Sequence, residues 1–472
     1  MQIYPHAGWV EHDPEDIFRS VLSCIQKLPL EDVDRVAGIA VTNQRETIVA
    51  WDRSTGKPFH NALVWLDTRT HDMVKKEADT TQLGVNKYRH ITGLPLSTYF
   101  SAMKIKWLIE NVPLISSALE SNSCCFGTID SYITHRLTSG RVHVTDCTNA
   151  SRYNLMDLRT LDWSPEICRE LGIPLTSLPK IVSSAEQVGV VDESVVPVLA
   201  DVPITSLIGD QHAALLGHGC TEPSLCKITY GTGCFLLRNT GTEPVPSASG
   251  ALLTTLAFKL GKDAPTLYAL EGSVAAAGRS VQWAMDNLRI GDNLFEFNEI
   301  ASSVTDTCGV TFVPAFSGLF APYWRNDARA VIVGMSLRAS YRHLARAILE
   351  ATAMQCAEVM KLIERDGGSA DSASIVTDGG MTKSDLLMQI QADVLGAPVK
   401  RARMTEATAF GAAYAAGHSI GFWEGAPVQD IKALQEGYDS FVPTMSAEER
   451  GRTFARWEDA VKRSFDLSKF SE

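Results

Sequence analysis

The stretch Lys227–Gly241, KITYGTGCFLLRNTG, sets two apolar runs on either side of Tyr-Gly-Thr-Gly. It reads as a strand, a tight glycine turn and a return strand. Glycines with a hydroxyl between them let backbone N–H groups approach an anion with no Cβ in the way, and phosphate is the commonest such anion. An ordinary hairpin turn would carry the same letters, so the reading depends on what the rest of the chain supplies. A second glycine turn, TDGGMTKSD at Thr377–Asp385, follows the apolar run SIV and leads into a helical pattern. Bare backbone there could receive a flat ring or a phosphate. The segment IVTDGGMTKSD matches IAVTNQRETI of the first half in kind: a buried strand, then a polar loop at its carboxyl end, where open α/β sheets place ligands. Two topologically similar α/β halves with a cleft between them, residues 1–217 and 222–472, are the simplest architecture for this pattern.

At 472 residues the chain is too long for one hydrophobic core. Its 43 basic and 55 acidic residues leave a net charge of -12, which argues against nucleic acid or an anionic membrane surface and favours a small ligand. No apolar run reaches the roughly 20 residues of a membrane span, and the polar start has no basic n-region before an apolar stretch, so a cytoplasmic chain is expected. The ten cysteines include no Cys-x-x-Cys pair and no histidine at zinc spacing, and they read as reduced, packed thiols. Near the start, Asp13 as N-cap and Pro14 at the first helical position predict an amphipathic helix with Phe18, Val21, Leu22, Ile25 and Leu28 on one face.

Several side chains could carry chemistry. Asp210, in SLIGDQHAAL, follows an apolar strand, as a general base for a hydroxyl must if it is to sit beside the cleft; capping of a helix that starts near Gln211 is the competing explanation. Asn43, Gln44, Arg45 and Glu46 offer amides, a guanidinium and a carboxylate in four successive positions. Such a mix fixes several hydroxyls at once, unless the loop is merely solvated.

YFSAMKIKW (Tyr99–Trp107) and TDGGMTKSDLLMQIQADVLGAPVKRARMTEATAFGAAYAAG (Thr377–Gly417) resemble the two signature stretches of the FGGY carbohydrate kinases. VTNQRETIVAWD, GRVHVTDCTNASRYNL, GDQHAAL, TYGTGCF and PAFSGLFAPYW are most similar to the members that phosphorylate glycerol. The resemblance, from Gln2 to about Trp457, implies an α/β protein of two actin-like ATPase (ribonuclease H-like) domains with a central cleft. It implies transfer of the γ-phosphate of ATP, carried with Mg²⁺, to glycerol. By motif position, Arg45, Glu46, Tyr99, Asp210 and Gln211 would bind the triol, with Trp65 against its carbon backbone and Asp210 as the base. Thr232 would face the phosphates, and Gly278, Gln282, Gly380, Ser384 and Asp385 would border the adenosine end. A homo-oligomer, dimer or tetramer, is implied as well.

The sequence departs from the family pattern in places. The family's opening hairpin of the form Asp-x-Gly-Thr-Thr-Ser-x-Arg is not found, so the first domain is expected to be truncated at its start. Ser384-Asp385 stands for Asn-Asn, Phe320 replaces a small residue, and DESVVPVLADVPI lacks the stretch used for sugar-phosphate inhibition. Two alternatives stay open: a kinase for another small polyol or sugar, and a polyol-binding relative without catalysis.

Overall fold

Alternation decides how the opening stretch folds. In the strand Leu225–Tyr230, Cys226, Ile228 and Tyr230 point to one face and Lys227 and Thr229 to the other. The turn Gly231–Gly233 returns the chain as Cys234–Gly241, antiparallel, with Lys227 opposite Leu237 and Tyr230 opposite Cys234. In the computed structural model, which describes residues 2–29, 35–223, 225–316, 318–325, 327–367, 374–423 and 437–470, this hairpin lies inside a seven-stranded sheet. The order is Leu253–Phe258, Leu267–Val274, Cys234–Gly241, Leu225–Tyr230, Ser374–Asp378, Val399–Ala402, Tyr438–Phe441. The strand before the second glycine turn, Ser374–Asp378, pairs in parallel with Leu225–Tyr230.

One face of this sheet is mainly apolar: Cys226, Ile228, Tyr230, Cys234, Leu236, Leu270 and Val274 join the core under the helices Gly278–Leu288, Tyr341–Asp366 and Asp385–Leu395. Phe235, Leu237 and Ala269, on the other face, pack with Leu215, Leu216, Ala412 and Tyr414 of the helices Asp210–Gly217 and Ala407–Ser419. The first helix belongs to the first half of the chain. The sheet is thus a wall shared between the halves.

The first half does not repeat this arrangement. Among the described residues its strands form a five-stranded sheet of order Gln2–Ile3, Glu11–His12, Ala62–Leu63, Ile48–Asp52, Cys124–Thr128, a three-stranded sheet of order Gly189–Val190, Pro203–Gly209, Ile39–Asn43, and two two-stranded sheets, Lys180–Val182 with Val144–Asp146 and Met156–Asp157 with Asp162–Trp163. Both halves are α/β, and the strand-then-polar-loop motif recurs in each. Among the described residues, the apolar strand Ile39–Asn43, expected to be buried, stands at the edge of the smaller sheet and pairs with Pro203–Gly209 alone. Its residues Ile39 to Thr42 are accordingly half-buried. The first helix forms as the sequence predicts, over Pro14–Ile25, with Asp13 accepting from the Glu15 N–H at 2.9 Å. Leu28 is a correction: it lies beyond the helix and is 41% exposed.

The helices Asp210–Gly217 and Ala407–Ser419 cross so closely that only glycine fits at the contact. A Cβ on Gly217 would lie 2.0 Å from the Ala407 carbonyl oxygen, and one on Gly411 would lie 1.9 Å from that of Ala213. The later helix also packs on the strands Pro203–Gly209 and Ile39–Asn43, so the second half reaches back into the first. Gly411→Ala is expected to force these helices apart at about 1–3 kcal/mol, read as a melting temperature several degrees lower. Gly451→Ala, in the helix Ala447–Lys462 with nothing within 4 Å of the added Cβ, is expected to leave the melt unchanged or raise it slightly. Equal melts for the two variants would contradict the close crossing.

Candidate active site

The strand Ile39–Asn43 ends where the chain must reverse into Ile48–Asp52, and the reversal turns two charged side chains inward. Glu46 takes a left-handed φ of 59°, and the Thr47 N–H donates to the Arg45 carbonyl at 2.7 Å. Asn43 and Asn149 exchange amide hydrogen bonds at 3.0 Å, and Gln44 Nε2 donates to His12 Nδ1 at 3.2 Å. These two amides serve the loop itself. Arg45 and Glu46 are 3% and 2% exposed.

Burying two charges demands partners, and these come from both halves. Arg45 binds Glu271, on the strand Leu267–Val274, through two parallel bonds of 2.7 and 2.9 Å. Arg152 donates to Glu46 at 2.6 Å and to Glu271 at 3.2 Å. Burial pushes Glu271 upward, but Arg152 and Arg45 outweigh it and hold the carboxyl well below the usual range. Burial raises Glu46 above its usual value against the pull of the same two arginines. His212 is driven far below the ordinary imidazole range by burial and then by Arg45. It is therefore neutral: its Nδ1–H donates to the Ala257 carbonyl at 3.1 Å and its Nε2 accepts from Arg45 at 3.1 Å.

Asp210 is the first residue of the helix Asp210–Gly217, not the residue before it, so capping does not account for it. Its Oδ1 accepts the Gln211 N–H at 2.7 Å and lies 3.5 Å from Arg45 Nε. The side chain keeps 34% exposure. Burial raises its pKa, opposed by Arg45 and Lys227. Gly209 makes room for this grouping, since a Cβ there would sit 2.9 Å from the Arg45 side chain. Gln211 in turn accepts, through Oε1, from Lys227 Nζ, which also donates to Thr229 Oγ1 at 2.8 Å. Burial brings Lys227 down to about 8.

Beside these polar groups runs an aromatic wall. Trp65 meets Tyr99 edge-on with centroids 5.6 Å apart, and meets Phe235 of the hairpin at 5.9 Å. Phe320 lies 6.1 Å from Tyr99 and stacks on Trp324 at 5.8 Å. The departure noted at Phe320 thus extends this wall. The Arg152 guanidinium lies 5.6 Å from the Tyr99 ring centroid, so the wall stands beside the Arg45–Glu46–Arg152 group, an arrangement that suits a short carbon chain with hydroxyls along one side.

The glycine turn faces a different group. The carbonyl of Gly231 accepts from the Gly278 N–H at 3.0 Å, and that of Thr232 accepts from Ala277 and Arg279 at 2.9 and 3.1 Å. The turn is therefore tied to the start of the helix Gly278–Leu288, leaving the Thr232 side chain exposed. A Cβ on Gly278 would meet the Gly231 oxygen at 2.7 Å. Gly379, at φ 93°, lies against Tyr230, where a Cβ would come within 2.4 Å of the carbonyl oxygen. The glycine demanded by backbone geometry is thus Gly379; Gly380 has open space around it. Ser384 is 3% exposed, and its hydroxyl caps the helix Asp385–Leu395 by accepting from Leu387 N–H at 3.1 Å. Asp385 pairs with Arg401 at 2.6 Å, and Gln282, exposed, donates to Asp286 at 2.8 Å. The fold brings Thr232, Gly278 and the Gly379–Gly380 turn together. Ser384 and Asp385 follow them, Ser384 buried as a helix cap and Asp385, 77% exposed, paired with Arg401.

If the Gly231–Gly233 turn serves a nucleotide, Gly379→Ala is expected to raise the nucleotide KM about tenfold and leave the polyol KM within twofold, because the added Cβ strikes the Tyr230 carbonyl just before that turn. An unchanged nucleotide KM would detach this turn from the site.

The partners Arg152, Glu271, Lys227, His212 and Phe235 were not singled out in the sequence. A signal existed for two of them. Lys227 in LCKITY and Glu271 in LYALEGSV are charges inside apolar strands, and a buried charge must be paired. Among the described residues, no group of three or more His, Cys, Asp or Glu is placed to hold a metal ion, and no helix is long and apolar enough to cross a membrane.

Residues 1–217 match the N-terminal domain, and residues 226–420 the C-terminal domain, of the FGGY family of carbohydrate kinases. The glycerol kinase of Beutenbergia cavernae is 48% identical over 471 residues, 98% of this chain and 92% of that protein. The crystal structure of Plasmodium falciparum glycerol kinase with ADP superposes with a TM-score of 0.89 at 37% identity, over 98% of this chain and 92% of that one. Ligand-bound xylulose kinase from Lactobacillus acidophilus has a TM-score of 0.84 at 21% identity, a likeness of fold alone. Nothing in these matches supports reading the chain as lacking an opening hairpin, since they run through 98% of it.

Proposed function

Because this chain belongs to the FGGY family of carbohydrate kinases, we infer that it transfers the γ-phosphate of ATP to glycerol, giving glycerol 3-phosphate and ADP. The observation that carries the inference is the Asp210 carboxylate, 34% exposed and set beside Arg45 and Gln211.

Phosphoryl transfer asks for an oxygen nucleophile in line with the phosphate, a carboxylate to accept its proton, and a cradle for the triphosphate. Asp210 takes the proton of the attacking hydroxyl. Arg45, Glu46 and Gln211 pair with the hydroxyls, each of which would cost about 1–3 kcal/mol if left unpaired on burial. Trp65, Tyr99 and Phe235 cover the carbon backbone and exclude water from the reacting oxygen. On the other side, the glycines at 233, 278 and 379 let the turn, the helix start and the strand close on one another, and the exposed Thr232 hydroxyl is free to donate to a phosphate oxygen. Mg²⁺ carried with the triphosphate would supply charge neutralisation of the phosphate oxygens. Occurrence in the cytoplasm as a dimer or tetramer belongs to the same reading.

A polyol panel tests it. With ATP and Mg²⁺, ADP release is expected with glycerol at a kcat/KM at least tenfold above that with four- and five-carbon polyols and pentoses. A longer polyol preferred over glycerol would reassign the substrate, and binding of glycerol without ADP release would leave a binding protein.

A further inference from the structure

The seven-stranded sheet presents one row of residues whose role the reaction does not explain. Lys227 lies opposite Leu237, and Leu237 opposite Glu271. Residues directly opposite in neighbouring strands point to the same face, here the face toward the helix Asp210–Gly217. Lys227 and Glu271 are both 0% exposed and carry opposite charges. Two strand spacings, roughly 10 Å, separate them, so they do not neutralise each other. Each reaches instead into the first half of the chain. Lys227 donates to Gln211 Oε1. Glu271 accepts from Arg45 through both oxygens, at 2.7 and 2.9 Å, and from Arg152 at 3.2 Å. Arg152 carries this on to Glu46 at 2.6 Å. With these bonds made, both oxygens of Glu271 are taken and neither residue has exposed surface for a substrate.

We propose that Lys227 and Glu271 are positioning residues for the polyol: from one row of the second-half sheet, Lys227 orients the Gln211 amide while Glu271 fixes the Arg45 and Arg152 guanidinium groups. The proposal rests on the assignment of Arg45, Glu46 and Gln211 to glycerol. Three of the side chains that meet the hydroxyls are then aligned by residues of the opposite half. Polyol affinity depends on the two halves being together, and by reciprocity bound polyol holds them together. The choice of residues fits this task. A two-pronged arginine–carboxylate pair fixes a guanidinium in angle as well as distance. An ammonium on the amide oxygen of Gln211 settles which end of that amide faces the cleft, leaving its N–H₂ toward Asp210 at 3.5 Å.

Steady-state kinetics of Lys227→Met and Glu271→Gln, with ADP binding measured by calorimetry, test the proposal. Met keeps the length of the lysine stem, and Gln keeps the size and one acceptor of Glu271. Each variant is expected to raise the glycerol KM about tenfold, with kcat within threefold and ADP affinity within twofold of the parent. A residue acting through another must also be non-additive with it. Lys227→Met should therefore add less than twofold to the glycerol KM of Gln211→Ala, and Glu271→Gln less than twofold to that of Arg45→Lys. Glycerol KM values within twofold of the parent, or effects that multiply in the double variants, would overturn the proposal. If Glu271→Gln does not fold, Arg152→Lys decides that half: it keeps the charge but cannot span Glu46 and Glu271, so its glycerol KM should rise severalfold, and an unchanged KM counts against. A parent enzyme that phosphorylates no glycerol would instead refute the substrate assignment, before any variant is compared.

Discussion

Asp210→Asn should lose at least about 100-fold in kcat for glycerol, the usual cost of removing a general base. The glycerol KM and ADP affinity should stay within a few-fold. Asparagine keeps the shape and the acceptor for the Gln211 N–H that Asp210 Oδ1 provides at 2.7 Å, so helix start and pocket survive and proton transfer alone is removed. The pH profile gives a second readout. Burial raises Asp210 above the usual carboxylate range despite Arg45 and Lys227, and the base works only when ionised. Activity of the parent should therefore fall as pH drops through a value above that of a free aspartate, and the residual activity of the variant should lack that limb. Activity within a few-fold of the parent would remove Asp210 from the mechanism.

Replacing Arg45 should act on the polyol and spare the nucleotide. Arg45→Met is expected to raise the glycerol KM by about 5–150-fold, corresponding to 1–3 kcal/mol for a hydroxyl left unpaired, with the ATP KM within twofold. It should also lower the melting temperature, because breaking a buried pair by removing one partner costs about 3–5 kcal/mol and Glu271 would keep Arg152 alone. Glu46→Gln should follow the same pattern more weakly, since the amide can still accept from Arg152. A rise in the ATP KM with glycerol unaffected would place the Arg45–Glu46 loop at the nucleotide instead.

Features that depend on local alternation were legible in the sequence. The hairpin around Gly231–Gly233, the helix capped by Asp13 and the strand that delivers Asp210 all follow from neighbours a few residues apart. Features that depend on how many neighbours an element has were not. The apolar run Ile39–Val41 says nothing of whether a strand lies on each side of it, and it lies at a sheet edge. Adjacent glycines at 379 and 380 look equivalent as letters, yet one is wedged against Tyr230 and the other is open. Ser384 was assigned to a ligand because of its place in a motif, although a serine before LLMQIQ is equally a helix cap, and its hydroxyl serves as one. In the site, Arg45 and Glu46 were visible as a charged loop after a strand. Their partner Glu271 stands 226 positions from Arg45, and no local pattern links residues that far apart. What could be read was the demand: charges inside apolar strands must be paired, even where the partner is unknown.

On the proposed function, glycerol lies between the halves of the chain with a hydroxyl on Asp210 and its carbons on the aromatic wall. A crystal structure with glycerol and ADP bound tests it most directly. The expected result is one glycerol hydroxyl within hydrogen-bond distance of Asp210, the others on Arg45, Glu46 or Gln211, the carbon chain against Trp65 and Phe235, and the ADP phosphates at Gly231–Gly233. Glycerol away from Asp210, or ADP phosphates away from that turn, would contradict the account.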